Sequence, residues 1–327
     1  MNIAGQLFEI EGDAGYLAAM GDTFEPSVVD LLSKLTSADS RCLDIGANIG
    51  LTACALSVLC PEGKIAGIEP VPRTFSFLKR NARALPNVAV FKHALGSTEG
   101  VLRMQGNPNF LAGSFVADEY DIRDGGHFTE EVPVKTLDAS FGSFGLDRMD
   151  FIKIDVEGFE IEVFEGGKQI IGDLKPITFL EMNHWCLNVF RRMSIPEFRE
   201  RLLKVFPCVY AIEGGTFVDY ADDAYVHHIN HSHIIGHRYN NLVAGFDREE
   251  IVSRLSTLRE TPQFEVPVPQ ATIPEPVRVD NTIELREQIA ALKAQAETDR
   301  ATIAALRNSS SWKVTAPMRA IVGAIRK

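Results

Sequence analysis

The sequence lacks a disulfide framework. Its 327 residues hold five cysteines, Cys42, Cys54, Cys60, Cys186 and Cys208. The number is odd and no C-x-x-C pair occurs, which points to a reducing compartment. There is no stretch of roughly 20 apolar residues, so no membrane-spanning helix is expected. The amino terminus has no basic start followed by an apolar run, so no signal peptide is expected, and the expected location is cytoplasmic. Positive charge is scarce. Lys and Arg number 33 against 44 Asp and Glu, a net charge of −11, which argues against nucleic acid as a general partner. Two glycines of the dinucleotide fingerprint G-x-G-x-x-G are missing as well. Counting from Gly46, Asn48 and Leu51 stand in their places, so the pyrophosphate cradle is absent. What is present is a hydrophobic content of 45%. That supports a real core in one large domain, or in a domain with appendages.

The chain is organised around Cys42-Leu43-Asp44-Ile45-Gly46-Ala47-Asn48-Ile49-Gly50-Leu51. An apolar run ends in an acid, a glycine-bearing turn follows, and a helix-like run begins at Leu51. This is strand, tight turn, helix. Gly46 permits the turn, Gly50 permits close approach of backbone to a ligand, and the helix start offers unpaired N–H groups. A second strand, Lys64 to Ile68, ends in Glu69, 25 residues beyond Asp44. An acid at this place in a Rossmann-like sheet accepts hydrogen bonds from ribose hydroxyls.

Before this core, Leu7 to Ile10 reads as an edge strand. Thr23-Phe24-Glu25-Pro26 opens a helix with an apolar face. Glu25 is a candidate cofactor contact or a first-turn acid favoured by the helix dipole. Arg73 to Leu85 reads as a helix and Val88 to Phe91 as a third strand, turning away at His93-Ala94. Residues 97–135 read as a long stretch of turn chemistry, a lid or acceptor-binding segment. A further strand ends at Asp155 in Phe151-Ile152-Lys153-Ile154-Asp155-Val156-Glu157-Gly158-Phe159-Glu160. Lys153 within it needs an acid partner such as Asp44, or a place at a less buried edge. Another strand ends at Glu181, which with His184 is an acceptor-site candidate. Val209 to Ile212 and Tyr239 to Val243 are the expected last strands. Five of the eight histidines (His227, His228, His231, His233, His237) cluster between them. The spacing matches no ligand pattern, so a pH-sensitive loop is expected and no metal is assigned.

Four segments resemble the FkbM family of methyltransferases: F-E-P (24–26), L-D-I-G-A-N-I-G (43–50), I-E-P (68–70) and I-K-I-D-V-E-G-F-E (152–160). The Asp44 segment alone is similar to motif I of class I S-adenosylmethionine-dependent methyltransferases. The resemblance covers roughly residues 20–245. It implies an α/β, Rossmann-like sheet with helices on both faces, S-adenosyl-L-methionine as cofactor, and O-methylation, often of sugars or natural products. It also implies site residues. Glu25, Asp44, Gly46, Asn48, Gly50, Glu69, His93, Ala94 and Asp155 would hold the cofactor. His93-Ala94 would lie beside the adenine, although a histidine in a turn is also commonly a surface residue. Glu157, then Asp155, then His184 are the candidate bases.

The expected organisation is a methyltransferase domain over 1–258 and a Pro-rich linker over 259–280, with five prolines between Thr261 and Asp280. A coiled coil over 281–307 and a basic amphipathic tail over 308–327 follow. Thr282, Ile289, Ala296 and Ile303 fit heptad position a, and Leu285, Leu292, Asp299 and Leu306 fit position d. Homo-oligomerisation through 281–307 is therefore expected. Trp312 and six basic residues after residue 299 suit an anionic membrane surface. The tail resembles the S-x-S-W-(K/R)-x-T-x-P-(L/M)-R ending of bacterial polysaccharide-assembly proteins. The acceptor this implies is a hydroxyl-bearing glycan or its lipid-linked precursor. A small-molecule natural-product methyltransferase and a non-catalytic tether of glycan-assembly enzymes are the competing readings.

Overall fold

The computed structural model describes residues 1–260 except 108–109, 119–121, 123–125 and 258, together with the isolated positions 293 and 297. Met1–Gln263 forms one compact unit. The linker, coiled coil and tail expected over 259–327 lie almost wholly outside the described residues.

Eight strands carry the central sheet: β1 (Arg41–Ile45), β2 (Lys64–Ile68), β3 (Val88–Phe91), β4 (Phe151–Ile154), β5 (Ile177–Glu181), β6 (Cys208–Glu213), β7 (Thr216–Asp219) and β8 (Asn241–Gly245). Their order across the sheet is β3-β2-β1-β4-β5-β8-β6-β7, with Arg259–Glu260 added beside β7. The strands from β3 to β5 are parallel, and β8 enters antiparallel between β5 and β6. The inner parallel strands are buried on both faces, so they read as near-continuous apolar runs. All four residues of β4 are buried. Alternate residues feed two cores. Leu43, Ile45, Ile152 and Ile154 enter one, and Cys42, Ile65, Phe151 and Phe179 the other. Asp44 and Lys153 share the second face and pair in register across β1 and β4. This answers the sequence puzzle of Lys153: it sits mid-sheet, opposite an acid.

The helix Leu51–Leu59 is buried through Ser57, as an apolar run with no polar face requires. The helix Pro26–Leu35 starts on its proline and buries Leu31, Leu32 and Leu35.

Four expectations change. The edge strand is a hairpin of Asn2–Ile3 with Gln6–Leu7, because Ala4 and Gly5 take positive φ and turn the chain earlier than Leu7 to Ile10 allows. Residues 97–135 are not a loop. Gly100–Asn107, Phe110–Val116 and Phe128–Lys135 form a second sheet with Ala94–Leu95. Its turn residues join strands rather than replace them. The histidine-rich segment is a helix, Asp223–Gly236, because Asp222 caps its start by accepting from the Ala224 N–H and His237 ends it in a left-handed conformation. The strand expected from Tyr239 begins at Asn241, since Tyr239 has φ 57°. β7 was not expected. Gly214-Gly215, both at positive φ, is the hairpin signal that marks it.

Candidate active site

The carboxyl ends of β1, β2 and β4 open into one crevice of about 370 Å³. In an open parallel sheet this is the place where the strand order reverses and ligands bind. Gly46, Asn48, Glu69, His93, Ala94, Asp155, Glu157 and Glu25 all line it, whereas Asp44 lies one residue behind the lining Ile45, fully buried in β1.

Asp44 is fully buried, and neither carboxylate oxygen has a hydrogen-bond partner. Burial raises its pKa to about 6, against the pull of the Lys153 ammonium, whose Nζ lies 3.8 Å from Oδ1. Lys153 also faces Asp155 at 3.5 Å and donates to the Gly46 carbonyl at 3.3 Å. Burial works against its charge, but Asp155 and Asp44 outweigh that and hold its pKa above the ordinary lysine value. Lys153 is thus a structural cation between two acids.

Glu69 accepts from the backbone N–H of Asn48 at 3.1 Å and of Val71 at 2.9 Å. A carboxylate has further lone pairs to offer. Burial lifts its pKa to about 7 despite these bonds. The Asn48 side-chain oxygen is buried without a partner. His93, expected in a surface turn if not at the base, is 5% exposed. It stacks at 6.0 Å on Phe144, and its Nε2 is unpartnered. Burial lowers its pKa to about 4, so it is neutral.

Gly46 makes the expected turn and does a second job, while Gly50 does other work than expected. A Cβ on Gly46 would stand 1.9 Å from the Asp155 carbonyl oxygen, and Gly46 has φ +75°. Its missing side chain lets the β1 turn touch the β4 turn. A Cβ on Gly50 would meet Leu78 at 2.8 Å. Gly50 is not among the crevice residues, and its bareness serves helix packing rather than ligand approach.

The acidic turn after β4 is held from inside. Glu160 is 3% exposed and accepts from the Val156 and Gly158 N–H groups. Glu157 sits at φ 54°, and its Oε2 accepts from the Cys186 thiol at 2.9 Å. Burial, then the Asp155 charge, raise its pKa to about 7. Glu181, at the end of β5, is raised to about 8, again chiefly by burial. His184 is not brought to the crevice. It lies at 3.3 Å from His233 Nε2 and stacks on His237. Among the described residues no group of three or more His, Cys, Asp or Glu is placed to hold a metal. Sequence reading missed Tyr16, Phe179, Asn240, Asn241 and Ser114 in the lining. Asn240 and Asn241, at the start of the antiparallel β8, carried no recognisable signal. Ser114 lies in the second sheet, which the sequence reading took for a loop.

S-adenosyl-L-methionine fits this crevice. The unpartnered buried atoms of Asp44, Asn48 and His93 are hydrogen-bond acceptors or a neutral ring nitrogen, and the cofactor's ammonium, hydroxyl and amino groups are donors. Sheet order and crevice together define the class, a Rossmann-like α/β sheet with a ligand crevice at its switch point.

Residues 44–206 match the family model described as Methyltransferase FkbM domain. It is similar to methyltransferase sdnD of Sordaria araneosa, 31% identical over 38% of this chain and 59% of that one. It is similar to the hexuronic acid methyltransferase AglP of Haloferax volcanii, 28% identical over 43% and 56%. It is also similar to the 2-O-methyltransferase NoeI of Sinorhizobium fredii, 28% identical over 43% and 63%. The chain thus spans 56% to 63% of the length of these curated relatives. Among solved structures, methyltransferase FkbM from Methylobacillus flagellatus aligns with a TM-score of 0.37 at 17% identity, over 53% of this chain and 39% of that one.

Proposed function

We propose that this chain transfers a methyl group to a sugar hydroxyl of a bacterial surface polysaccharide or its lipid-linked precursor. The observation that carries the reading is Glu157. It lines the crevice beside Asp155 with a pKa of about 7, where a base for a hydroxyl is most effective at neutral pH. The similarity to a 2-O-methyltransferase and a hexuronic acid methyltransferase favours a sugar oxygen as the acceptor.

Bound S-adenosylmethionine supplies a methyl group already activated on a sulfonium. Asp44, one residue before the lining Ile45, would balance its ammonium, Glu69 would take the ribose hydroxyls, and His93 with Ala94 the adenine edge. Asp155 and Lys153 hold the β4 turn in place. Glu157 would take the proton of the acceptor hydroxyl as that oxygen bonds the methyl carbon and the carbon–sulfur bond breaks, its electron pair staying on sulfur as a neutral thioether, and the thiol of Cys186 keeps the carboxylate in that position. The crevice walls align the acceptor oxygen with the methyl group, which is the larger part of the catalysis.

The test uses labelled S-adenosylmethionine and the full chain. It is incubated with membranes containing lipid-linked glycans, and separately with soluble sugars and nucleotide sugars. Label in the lipid-linked fraction, lost when residues 281–327 are removed, is the expected result. It fits an association of the coiled coil and tail with an anionic membrane at the cytoplasmic face. Label confined to soluble acceptors would overturn the membrane-docked reading.

A further inference from the structure

The crevice spans more of the sheet than a cofactor needs, and its two halves differ in chemistry. His93, Glu69 and Asn48 mark the side of β3, β2 and β1. Asp155, Glu181 and Asn241 mark the side of β4, β5 and β8. The second half also carries Glu157, Asn240, Tyr16, Phe24, Glu25 and Phe179.

The charge on this half is one-sided. Glu25, Asp155, Glu157 and Glu181 face the same space, and among the described lining residues Lys153 is the one Lys or Arg. Lys153 is already committed. It stands 3.8 Å from Asp44 and 3.5 Å from Asp155 and donates to the Gly46 carbonyl. Four lining acids against one committed cation make this half a set of acceptors for donor groups. An anionic group placed here would find no uncommitted cation among the described lining residues, would compete with Asp155 and Asp44 for Lys153, and would further disfavour ionisation of the neighbouring carboxyls, a penalty no rim contact offsets. Hydroxyls and amines meet acceptors, two asparagine amides and three aromatic faces, the set that suits an uncharged or amine-bearing sugar ring.

We propose that the acceptor half selects against anionic substrates and takes a neutral or amino sugar, with Glu181 as the specificity-determining residue. This rests on the sugar O-methyltransferase reading above and narrows it. Glu181 closes the end of β5 and faces the donor groups of the acceptor. Burial, with the charges of Asp155, Glu157 and Glu160, raises its pKa to about 8, the direction expected of a carboxyl waiting for a donor or a cation. The inference separates this chain from the relative named as a hexuronic acid methyltransferase, which by that name handles an anionic sugar.

The experiment gives the full chain labelled S-adenosylmethionine and a mixed glycan pool containing neutral, amino and uronic sugars in known amounts. The products are hydrolysed and the labelled monosaccharides are separated by charge. The expected result is neutral or amino sugar labelled at least about tenfold over uronic acid, the discrimination that a single unfavourable charge contact can supply. Glu181→Gln should reduce that ratio severalfold, while its affinity for S-adenosylhomocysteine, measured by calorimetry, stays within about twofold of the parent and reports a folded cofactor site. Label predominantly in uronic acid overturns the inference and leaves the sugar methyltransferase reading standing. An unchanged ratio in Glu181→Gln removes Glu181 as the determinant. No label in any sugar overturns the proposed function, and this inference falls with it.

Discussion

Glu157 and Asp44 are both buried acids, yet they answer to different experiments. Asp44 pairs with Lys153 but neither of its oxygens has a hydrogen-bond partner, so Asp44→Ala should abolish measurable S-adenosylmethionine binding in a calorimetric titration. Glu157→Gln keeps the shape of the turn and removes the proton acceptor. It should leave cofactor affinity nearly unchanged and lower turnover by about 10²–10⁴. The same residue sets a pH profile. Its folded pKa of about 7 means the active, ionised form appears as pH rises through neutrality, so the parent rate should climb between pH 6 and 8. That limb should be lost in Glu157→Gln. A parent rate flat across this range would remove Glu157 as the base. That Glu69, Asp155 and Glu157 stand at strand ends around one crevice was legible from motif spacing, whereas Asp44 lies behind the lining. The burial of His93 and the Cys186 thiol on Glu157 were not, because neither depends on neighbours in sequence.

Strand and turn are the units that bring these residues together. β1 and β4 are more than 100 residues apart, yet their turns touch through the bare Gly46. Gly46→Ala places a methyl group into the Asp155 carbonyl at a positive φ. It should destabilise the fold by on the order of 3 kcal/mol in denaturant titration and weaken cofactor binding as well, since it displaces the turn bearing Asp155. Parallel strands were legible because double-sided burial demands continuous apolar runs. The second sheet over 94–135 was not. Its sequence is punctuated by Gly106-Asn107-Pro108 and Gly125-Gly126, and such residues give no hint that the intervening segments pair with one another.

For the whole molecule, the buried carboxyls have a joint consequence. Glu69, Glu157, Glu160 and Glu181 have folded pKa values of about 7, 7, 8 and 8, all raised mainly by burial. The folded state therefore holds more protons than the unfolded chain. The stability this confers is full below the unfolded carboxyl pKa and is lost as pH rises through the folded values. Buried His93 and the lowered His233 oppose this at acid pH, but their effect is spent above about pH 6.5. The cofactor-free protein should thus lose melting temperature steadily from pH 6.5 to 8.5, and a rising melting temperature over that range would contradict the burial of these acids. Sequence by itself determined the cofactor class and the parallel core, because a strand ending in an acid and a glycine turn is a local pattern enforced by backbone geometry. It also placed the acids at the strand ends. Only the tertiary structure decided which of them share one crevice, which glycine makes room for another strand rather than for a ligand, and that His184 turns to His233 instead of the site. Those outcomes depend on strand order and on contacts between segments far apart in the chain, and no local spacing encodes them.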